Sequence, residues 1–197
     1  MSPRIESDEQ AIAVVDAALA RVRAVPGVHE AATVLQPPLS GTGGFDYGFV
    51  AEGQTESEAA ANPYLNYEAV TPGYFATFRL PILRGRGLTS ADRAGSLPVV
   101  VVSRDLAELM WPGQDPIGKR IRWAADSTPS GVWRTVVGVA NDARYRDVLQ
   151  LRPTVYVPVN QQAWIPTFLI VRSDLPLDAL VPTLRREIRA VDPISAW

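Results

Sequence analysis

Apolar positions near the start of the chain recur with a helical period. The repeat runs from Ile12 to Val22 and stops at a Pro-Gly pair, which predicts an amphipathic helix over 8–24. Arg21 and Arg23 fall in its last turn, where the helix dipole favours cations. We therefore expect one face of this helix to pack on a sheet.

A second helical repeat lies near the end of the chain, and shorter apolar runs fill the middle. Apolar spacing from Leu177 to Val191 predicts a final amphipathic helix, with which Pro182 conflicts unless it lies in or near the first turn. Runs with strand alternation or continuous β-branched residues predict short strands. They lie at 28–35, 45–50, 65–70, 99–102, 119–123, 133–139, 155–159 and 168–172.

Capping and turn residues predict further short helices. Thr71 as N-cap, with Pro72 at the first helical position, indicates a helix over 71–78. Ser103 is expected to cap another helix directly after the strand at 99–102. One helical turn is also expected to begin at 89–92.

The order of these elements predicts an α+β fold. Strands and helices do not alternate regularly, which argues against a doubly wound sheet. The chain begins with helix then strand and ends with strand then helix, so residues 1–85 and 165–197 are expected to form one discontinuous α/β subdomain. Residues 86–164, which are rich in strands, then form an inserted β-rich subdomain.

Composition excludes several functional classes. A chain of 197 residues buries a substantial core, and its net charge of −2 lacks the basic excess of nucleic-acid binders. The absence of cysteine excludes disulfides, thiolate nucleophiles and cysteine metal sites. No apolar run approaches the roughly 20 residues that span a bilayer, and the acidic start does not resemble a secretion signal. The sequence therefore fits either a protein without an export route or an excised part of a larger one.

Residues suited to acid–base or nucleophilic catalysis are few. His29 is the only imidazole, which excludes a His-pair metal site and leaves little material for a Ser-His-Asp triad, so we interpret it as structural or exposed. Asp142 and Asp147 flank one loop and are a candidate acid–base pair, but solvated charges are the simpler interpretation. Asp8 and Glu9 suit the start of a helix better than catalysis.

Three segments offer chemistry for binding an anion. Residues 42–45 are rich in glycine, but no Walker lysine follows. Residues 85–87 place an arginine between two glycines, which we interpret as a turn. Arg120 and Arg122 share one face of the strand at 119–123 and suit phosphates or anionic headgroups, with a solvated sheet face as the simpler interpretation. Most of the five tryptophans are expected in the core: Trp111, Trp123, Trp133, Trp164 and Trp197.

An ordered set of short phrases resembles one family. The phrases are AVPGV at 24–28, VTPGYF at 70–75, LPILRGR at 80–86, VVVS at 100–103, MWPGQDPIGK at 110–119, VVGV at 136–139 with Asn141-Asp142, VYVP at 155–158 and RAVDP at 189–193. Together they resemble the extracytoplasmic core domain of MacB-type (MacB/FtsX-type) ABC transporter permeases, close to the orphan permeases with duplicated halves. The resemblance covers nearly the whole chain.

The resemblance implies a fold and a function without catalysis. It implies a porter-like α/β subdomain made from both ends of the segment and an inserted, sabre-like β-rich subdomain. In the family a separate cytoplasmic ATPase hydrolyses ATP, and this domain relays the motion outward, by mechanotransmission, for efflux or substrate release. We therefore assign no catalytic, cofactor-binding or metal-ligating residue, expect no cofactor, and predict that the chain is not an enzyme.

The resemblance also implies partners and a location. The partners are the permease's own transmembrane helices and a cytoplasmic ABC ATPase, with a periplasmic adaptor or cargo as a further candidate and no nucleic acid. The location is the periplasmic face of the bacterial inner membrane, and the isolated chain is expected to be monomeric or weakly dimeric. Residues 51–63 and 124–131 are candidate contact loops, with mobile solvent loops as the simpler interpretation. The alternative function is an independent soluble module that binds a peptide or glycan, and an enzyme that uses the Asp142–Asp147 loop ranks third.

Overall fold

A computed structural model describes residues 8–39, 45–124, 131–145, 148–162 and 168–191. Its helices are α1 (Asp8–Arg23), α2 (Glu56–Ala60), α3 (Tyr74–Thr77), α4 (Arg104–Met110) and α5 (Leu177–Arg189), with a 3-10 turn at Val159–Gln161. Its strands are β1 (Val28–Val34), β2 (Phe45–Tyr47), β3 (Phe49–Ala51), β4 (Leu65–Val70), β5 (Ile82–Gly85), β6 (Val99–Ser103), β7 (Arg120–Trp123), β8 (Arg134–Ala140), β9 (Thr154–Pro158) and β10 (Phe168–Ser173). The mixed α/β character predicted from the sequence is confirmed.

The strand predicted at 45–50 was wrong as a single element. It divides at Gly48 into β2, which pairs with β4, and β3, which pairs with β7. A Cβ atom on Gly48 would lie 3.2 Å from the Cβ atom of Ala124. Glycine therefore lets the chain pass close to the end of β7 as it changes partner.

The prediction of an unstructured loop at 51–63 was also wrong, because this segment contains α2. Thr55 and Glu58 form a reciprocal capping box: the Glu58 amide donates to Thr55 Oγ1 at 3.3 Å, and the Thr55 amide donates to Glu58 Oε2 at 2.8 Å. The Thr-x-x-Glu spacing is the sequence signature of this cap, and it outweighs the polar composition. The second candidate loop, 124–131, lies largely outside the described residues.

Details of three other predicted helices differ in the structure. The helix predicted at 71–78 is confined to α3, and Gly73 rather than Thr71 occupies its N-cap position. No helical turn forms at 89–92, because the Asp92 carboxylate accepts from the Thr89 amide and closes a turn instead. Pro182 lies in the second turn of α5, and the helix nevertheless continues to Arg189.

All ten strands belong to one mixed sheet. Its main order is β10-β1-β4-β9-β6-β8-β7-β3, with β2 beside β4 and β5 beside β8. The β4–β9 and β6–β8 pairs are parallel, whereas the other pairs are antiparallel. The two ends of the chain meet in the β1–β10 pair, which runs from Val28 beside Ser173 to Val34 beside Phe168.

Three apolar clusters hold the layers together. One lies between α1, α5 and the β1–β10 pair and contains Leu19, Val22 and Ile188. The other two lie on opposite faces of the central strands, since neighbouring residues of β6 alternate between them. The central strands are therefore covered on both faces.

The direction of the strands defines two edges of the sheet. Strands β1 and β4 are antiparallel and overlap only at their ends, where Val34 pairs with Val70, so they extend from this point in opposite directions. The terminal edge is where β1 begins and β10 ends, at Val28 and Ser173, and the opposite edge is where β4 and β9 begin, at Leu65 and Thr154. The Asp174 amide donates to the Gly27 carbonyl at 3.0 Å, so the end of α1 lies beside the start of α5. Because each helix runs antiparallel to its adjacent strand, α1 ends and α5 begins at the terminal edge, whereas α1 begins and α5 ends near the level of Val34 and Phe168.

Candidate functional site

The best-defined polar site connects the terminal helices to the central sheet. The Arg23 guanidinium, at the end of α1, donates to the Ala31 carbonyl of β1 from Nε at 3.1 Å and from Nη2 at 2.6 Å. The same Nη2 atom donates to the Pro72 carbonyl, between β4 and α3, at 2.8 Å. One side chain thus links three elements, and we call Arg23, Thr33, Thr71, Gly73 and Tyr74 the joint.

Gly73 makes room for this arginine. Its φ of +100° falls in the region that glycine adopts readily, and a Cβ atom there would lie 2.8 Å from Arg23 Nη2 and 3.3 Å from the Ala31 oxygen. Both the backbone angle and the available space therefore require glycine at this position.

Thr71 connects the end of β4 to β1 through its backbone and its side chain. The Thr33 amide donates to Thr71 Oγ1 at 2.7 Å, and the Thr71 amide donates to the Thr33 carbonyl at 3.1 Å. Both threonines are buried, where unpaired polar groups are costly. The Thr71 hydroxyl therefore extends the strand pairing and does not cap α3.

Aromatic side chains hold α3 against the face of the sheet. The ring centroids of Tyr74 and Tyr156 lie 5.4 Å apart, and those of Phe75 and Tyr156 lie 5.2 Å apart. Tyr74 and Tyr156 are fully buried. Offset and edge-on ring pairs of this kind add specific packing to the burial of apolar area.

A buried carboxylate lies on the same face. Glu68, 1% exposed in the middle of β4, accepts from the Gln36 amide through Oε1 at 2.7 Å. The Tyr145 hydroxyl donates to the Gln36 carbonyl at 2.6 Å. Burial raises the pKa of Tyr74, Tyr145 and Tyr156, and the Glu68 charge raises these pKa values further. This polar group is fixed inside the core, away from any described cleft.

An ion pair joins the two terminal helices at their surface. Arg21 Nη2 of α1 lies 2.8 Å from Glu187 Oε2 of α5. Hydrogen bonds from Arg186 and Arg21 lower the pKa of Glu187. The helices are therefore connected by polar contacts outside and by their shared apolar cluster inside.

Asp142 is not a solvated charge, which corrects the simpler interpretation of this residue. Its side chain is largely buried, lies 2.7 Å from Arg104 Nη2, and accepts from the Asp105 amide in the first turn of α4 at 2.8 Å. It therefore caps α4 from a distant part of the chain, a role that Ser103, the expected cap, does not take. Asp147, its proposed catalytic partner, lies outside the described residues.

The segment at 85–87 is not the turn predicted from the sequence: Gly85 is the last residue of β5, and the Arg86 amide continues the pairing with β8 by donating to the Val137 carbonyl at 2.9 Å. Arg86 forms two hydrogen bonds of 2.8 Å with the two carboxylate oxygens of Asp92. A Cβ atom on Gly85, whose φ is +68°, would lie 2.2 Å from the Val137 carbonyl oxygen. The arginine is thus engaged within the protein, and the glycine allows two backbones to approach.

The remaining candidates have structural environments. His29 is exposed and lies 2.6 Å from Asp174, which confirms its interpretation as a surface residue. Arg120 pairs with Glu52, and both Arg120 and Arg122 lie over the ring of Trp133. These arginines therefore have protein partners, which differs from a freely solvated face.

Other candidates are confirmed in position or fall outside the structure. Asp8 and Glu9 lie in the first turn of α1, as predicted, and Trp111 is buried. Trp123 packs partly buried against the core. Residues 42–44, Trp164 and Trp197 lie outside the described residues.

The opposite edge of the sheet carries exposed apolar residues. Tyr64, which precedes β4, is 74% exposed, and Leu149, in the segment before β9, is 86% exposed. Val148 and Leu151 are also exposed there. Single exposed apolar residues are normal, but several at one edge indicate a contact surface.

In the ranges that the structure describes, no cluster of three or more His, Cys, Asp or Glu side chains is arranged to hold a metal ion. None of the helices in those ranges is both long and apolar enough to cross a bilayer.

The family is decided by a sequence comparison. The family described as MacB-like periplasmic core domain matches residues 2–191. The chain belongs to the MacB-like periplasmic core domain family. No match is found among curated proteins.

Solved structures share the fold of this MacB-like domain. The periplasmic region of MacB from Actinobacillus actinomycetemcomitans aligns with a TM-score of 0.60 and 14% identity, covering 88% of this chain and 72% of that one. The extracellular domain of the noncanonic ABC-type transporter YknZ from Gram-positive bacteria aligns with a TM-score of 0.58 and 15% identity, covering 88% and 81%. A domain of a putative permease protein from Porphyromonas gingivalis aligns with a TM-score of 0.55 and 18% identity, covering 87% and 68%.

The sequence patterns do not predict the joint of this MacB-like domain, although most of its residues lie in the predicted first helix and in the phrase at 70–75. Arg23 was interpreted through the helix dipole, and the Thr-Pro-Gly phrase as the start of a helix. The available signal was a glycine directly before two aromatic residues, a position that suggests a close approach by another group. The group that approaches is Arg23, fifty positions earlier, and sequence spacing does not indicate that contact.

Proposed function

We propose that this chain is the extracytoplasmic domain of an ABC transporter permease and that it relays motion without catalysing a reaction. Motions of the transmembrane helices, driven by ATP hydrolysis on a cytoplasmic ATPase, would enter through α1 and α5. They would leave at the opposite edge, where an adaptor or cargo is engaged for efflux or substrate release. The family membership supports the permease context, and the geometry of the joint supports the relay.

The observation that carries the relay is the path from α1 to the opposite edge. Arg23 ties α1 to β1 and to the end of β4. Strand β4 then runs to the opposite edge, buried at all six positions and hydrogen-bonded in parallel to β9. Because a buried strand within a sheet deforms little, displacement of α1 displaces the opposite edge.

The proposed division of the chain supports the same role. Residues 1–85 and 165–197 would move as the porter-like part, and residues 86–164 as the inserted, sabre-like part. The β3–β7, β4–β9 and β5–β8 pairs join the two parts by backbone hydrogen bonds, and the β4–β9 ladder is the one that includes the end of β4 at the joint. This division stays a prediction, and the ladder is where the motion would pass between the parts.

The first test is the reading frame on either side of these 197 residues. We expect one apolar stretch of about 20 residues upstream and about three downstream. A gene that encodes no such stretch would contradict the permease assignment. It would favour the second candidate, an independent module that binds a peptide or glycan.

One observation favours that second candidate. A cleft of about 520 Å³ lies between β5 and α4, with Arg84, Arg104 and Trp111 among its lining residues. The Arg84 guanidinium pairs with Asp115 at 2.9 Å beside it. Mixed apolar and charged walls suit a peptide side chain or a sugar.

The relay itself is tested in the full-length permease with its ATPase. A fluorescent label replaces the exposed Leu149 side chain, and its depth relative to the membrane is followed with and without ATP. We expect ATP to move the label, and we expect Arg23→Ala to reduce this movement while ATP hydrolysis continues. Arg185→Ala, an exposed arginine on α5, is the control. Equal label movement in Arg23→Ala and the control would contradict a relay through the joint.

A further inference from the structure

The edge strands at the two ends of the sheet, β3 and β10, differ in how their outer backbone groups are covered. Strand β3, at one end, has three residues, and side chains occupy its backbone groups: the Ala51 amide donates to Gln54 Oε1 at 2.8 Å, and Asn62 Nδ2 donates to the Phe49 carbonyl at 2.8 Å. Helix α2 also packs beside it. This end is therefore closed to another strand.

The other end is formed by β10, which has six residues and no comparable cover in the described part of the chain. Its one strand partner there is β1, and no described side chain bonds to the backbone of residues 168–172. Because alternate residues of a strand direct their N–H and C=O groups to either side, half of these groups face away from β1. These outward N–H and C=O groups can form hydrogen bonds with a further strand.

The sequence of β10 also lacks the usual protection of an open edge. Phe168, Leu169, Ile170 and Val171 are apolar, and the strand contains no proline, no lysine and one charge, on Arg172. No residue of β10 is fully buried, and Phe168 is 41% exposed. Long apolar edges of this kind normally pair with something.

We propose that the outer edge of β10 pairs with β10 of a second copy of this chain, antiparallel and about a two-fold axis at Ile170. This register places Ile170 opposite Ile170 and each Arg172 opposite an apolar Phe168 of the other copy, so like charges do not face each other. The strand is thus complementary to itself, as an isologous interface requires.

Two strand edges of six residues bury less area than the roughly 1,200 Å² of a stable interface. The isolated chains therefore associate weakly, in accord with the expectation of a monomer or weak dimer. Association becomes strong when two copies are held close together, because the second contact is then intramolecular. This inference does not depend on the proposed relay.

Cysteine trapping tests the pairing, because the chain has no other thiol. Ile170→Cys and Val171→Cys are compared with Leu83→Cys, an exposed apolar position on β5, at about 100 µM under a mild oxidant. We expect covalent dimers from at least one β10 variant, about fivefold or more above the Leu83→Cys level. Thermal unfolding of each variant before oxidation verifies that it is folded.

Sedimentation of the unmodified chain provides a second measurement that needs no substitution. We expect the average mass to rise between about 10 and 500 µM, and hydrogen exchange of the β10 amides to slow over the same range. Equal cross-linking of the β10 and Leu83 variants, together with β10 exchange that is independent of concentration, would overturn the proposal. The edge would then be left to a strand from another protein.

Discussion

The central strands and the terminal layer of this domain differ in how completely their residues are buried. Every residue of β4, β6 and β9 is buried, whereas no residue of β10 is. The central strands are covered by the two large apolar clusters. The terminal layer, formed by α1, β1, β10 and α5, has one smaller cluster and a surface ion pair of its own, and Ala32, Val34 and Ile170 connect it to one of the large clusters.

This difference in burial indicates which part of the molecule can move. Segments with fewer buried contacts open at lower free energy than the core. The terminal layer is therefore the part that can shift, and the central strands are the part that stays rigid. A domain that relays motion needs both, and the joint lies between them.

The largest expected effect is in the centre, at Gly138 of β8. A Cβ atom there would lie 2.0 Å from the Arg86 carbonyl oxygen, so Gly138→Ala has to separate two backbones. We expect a loss of about 3 kcal/mol or more in the free energy of unfolding, measured by urea denaturation. Gly87→Ala, whose added Cβ would meet nothing nearer than 3.7 Å, is the matched control. Equal losses in both variants would contradict the rigid centre.

Alkaline pH tests the centre without a substitution. Burial raises the pKa of Tyr67, Tyr74, Tyr145 and Tyr156 above the ordinary value of about 10. Because the folded state keeps these protons longer than the unfolded state, stability is level below about pH 10 and falls above it, by up to about 1.4 kcal/mol per pH unit for each tyrosine. Urea midpoints between pH 8 and 11 measure this fall. A midpoint that does not change up to pH 11 would show that the tyrosines are not enclosed.

At the joint, we expect Gly73→Ala to cost about 2–3 kcal/mol, because it adds backbone strain and displaces Arg23. Gly53→Ala is a sharp control, since Gly53 has a similar φ of +89° and no atom within 4 Å of an added Cβ. Its expected loss is about 1 kcal/mol, from strain alone. If thermal or urea unfolding gives the same loss for both variants, the contact with Arg23 does not contribute to the free energy of unfolding.

Substitutions of the buried Glu68 carboxylate separate the contribution of its hydrogen bond from the cost of burying its charge. Glu68→Leu leaves the Gln36 amide without its acceptor, and we expect a loss of about 1–3 kcal/mol. Glu68→Gln retains an acceptor oxygen and is expected to lose less. Urea unfolding of both variants ranks them, and a more stable Glu68→Leu would show that the cost of burying the charge dominates.

The smallest expected effect is in the terminal layer, at the Arg21–Glu187 pair. Exposed ion pairs contribute little, since solvent screens them. A double-mutant cycle with Arg21→Ala and Glu187→Ala is expected to give a coupling near the limit of measurement. A large coupling would mean that the ion pair, and not the apolar cluster, holds α1 to α5.

How far the sequence predicts this structure follows from the range of each interaction. Helix α1 and strands β1, β4 and β6 are predicted well, because local periodicity and turn residues set them. The division at Gly48 and the cap that Asp142 supplies to α4 are missed, because each depends on a contact with a distant segment. Helix α2 is missed although Thr55 and Glu58 have the spacing of a capping box, because the composition of this segment is that of a loop.

The candidate site is harder to predict than the fold. The sequence indicates correctly that His29 is a surface residue, but it does not indicate that Arg23 reaches Pro72. Such a contact arises only when β1 and β4 are already adjacent. The phrase at 70–75, one of those that resemble the family, contains Thr71, Gly73 and Tyr74 of the joint, yet their role becomes evident only in three dimensions.

The β1–β10 pair also has a consequence for synthesis. The Ser173 hydroxyl donates to the Gly27 carbonyl, 146 positions away, so β1 leaves the ribosome long before its partner β10. Contacts of such long range close slowly because a large loop has to be ordered first. The central strands are complete earlier, once β9 has emerged, and offer β1 an edge at β4 on which to wait. Nascent chains that end before Phe168 are therefore expected to hold a folded centre with α1 and β1 incompletely covered, a species suited to recognition by chaperones.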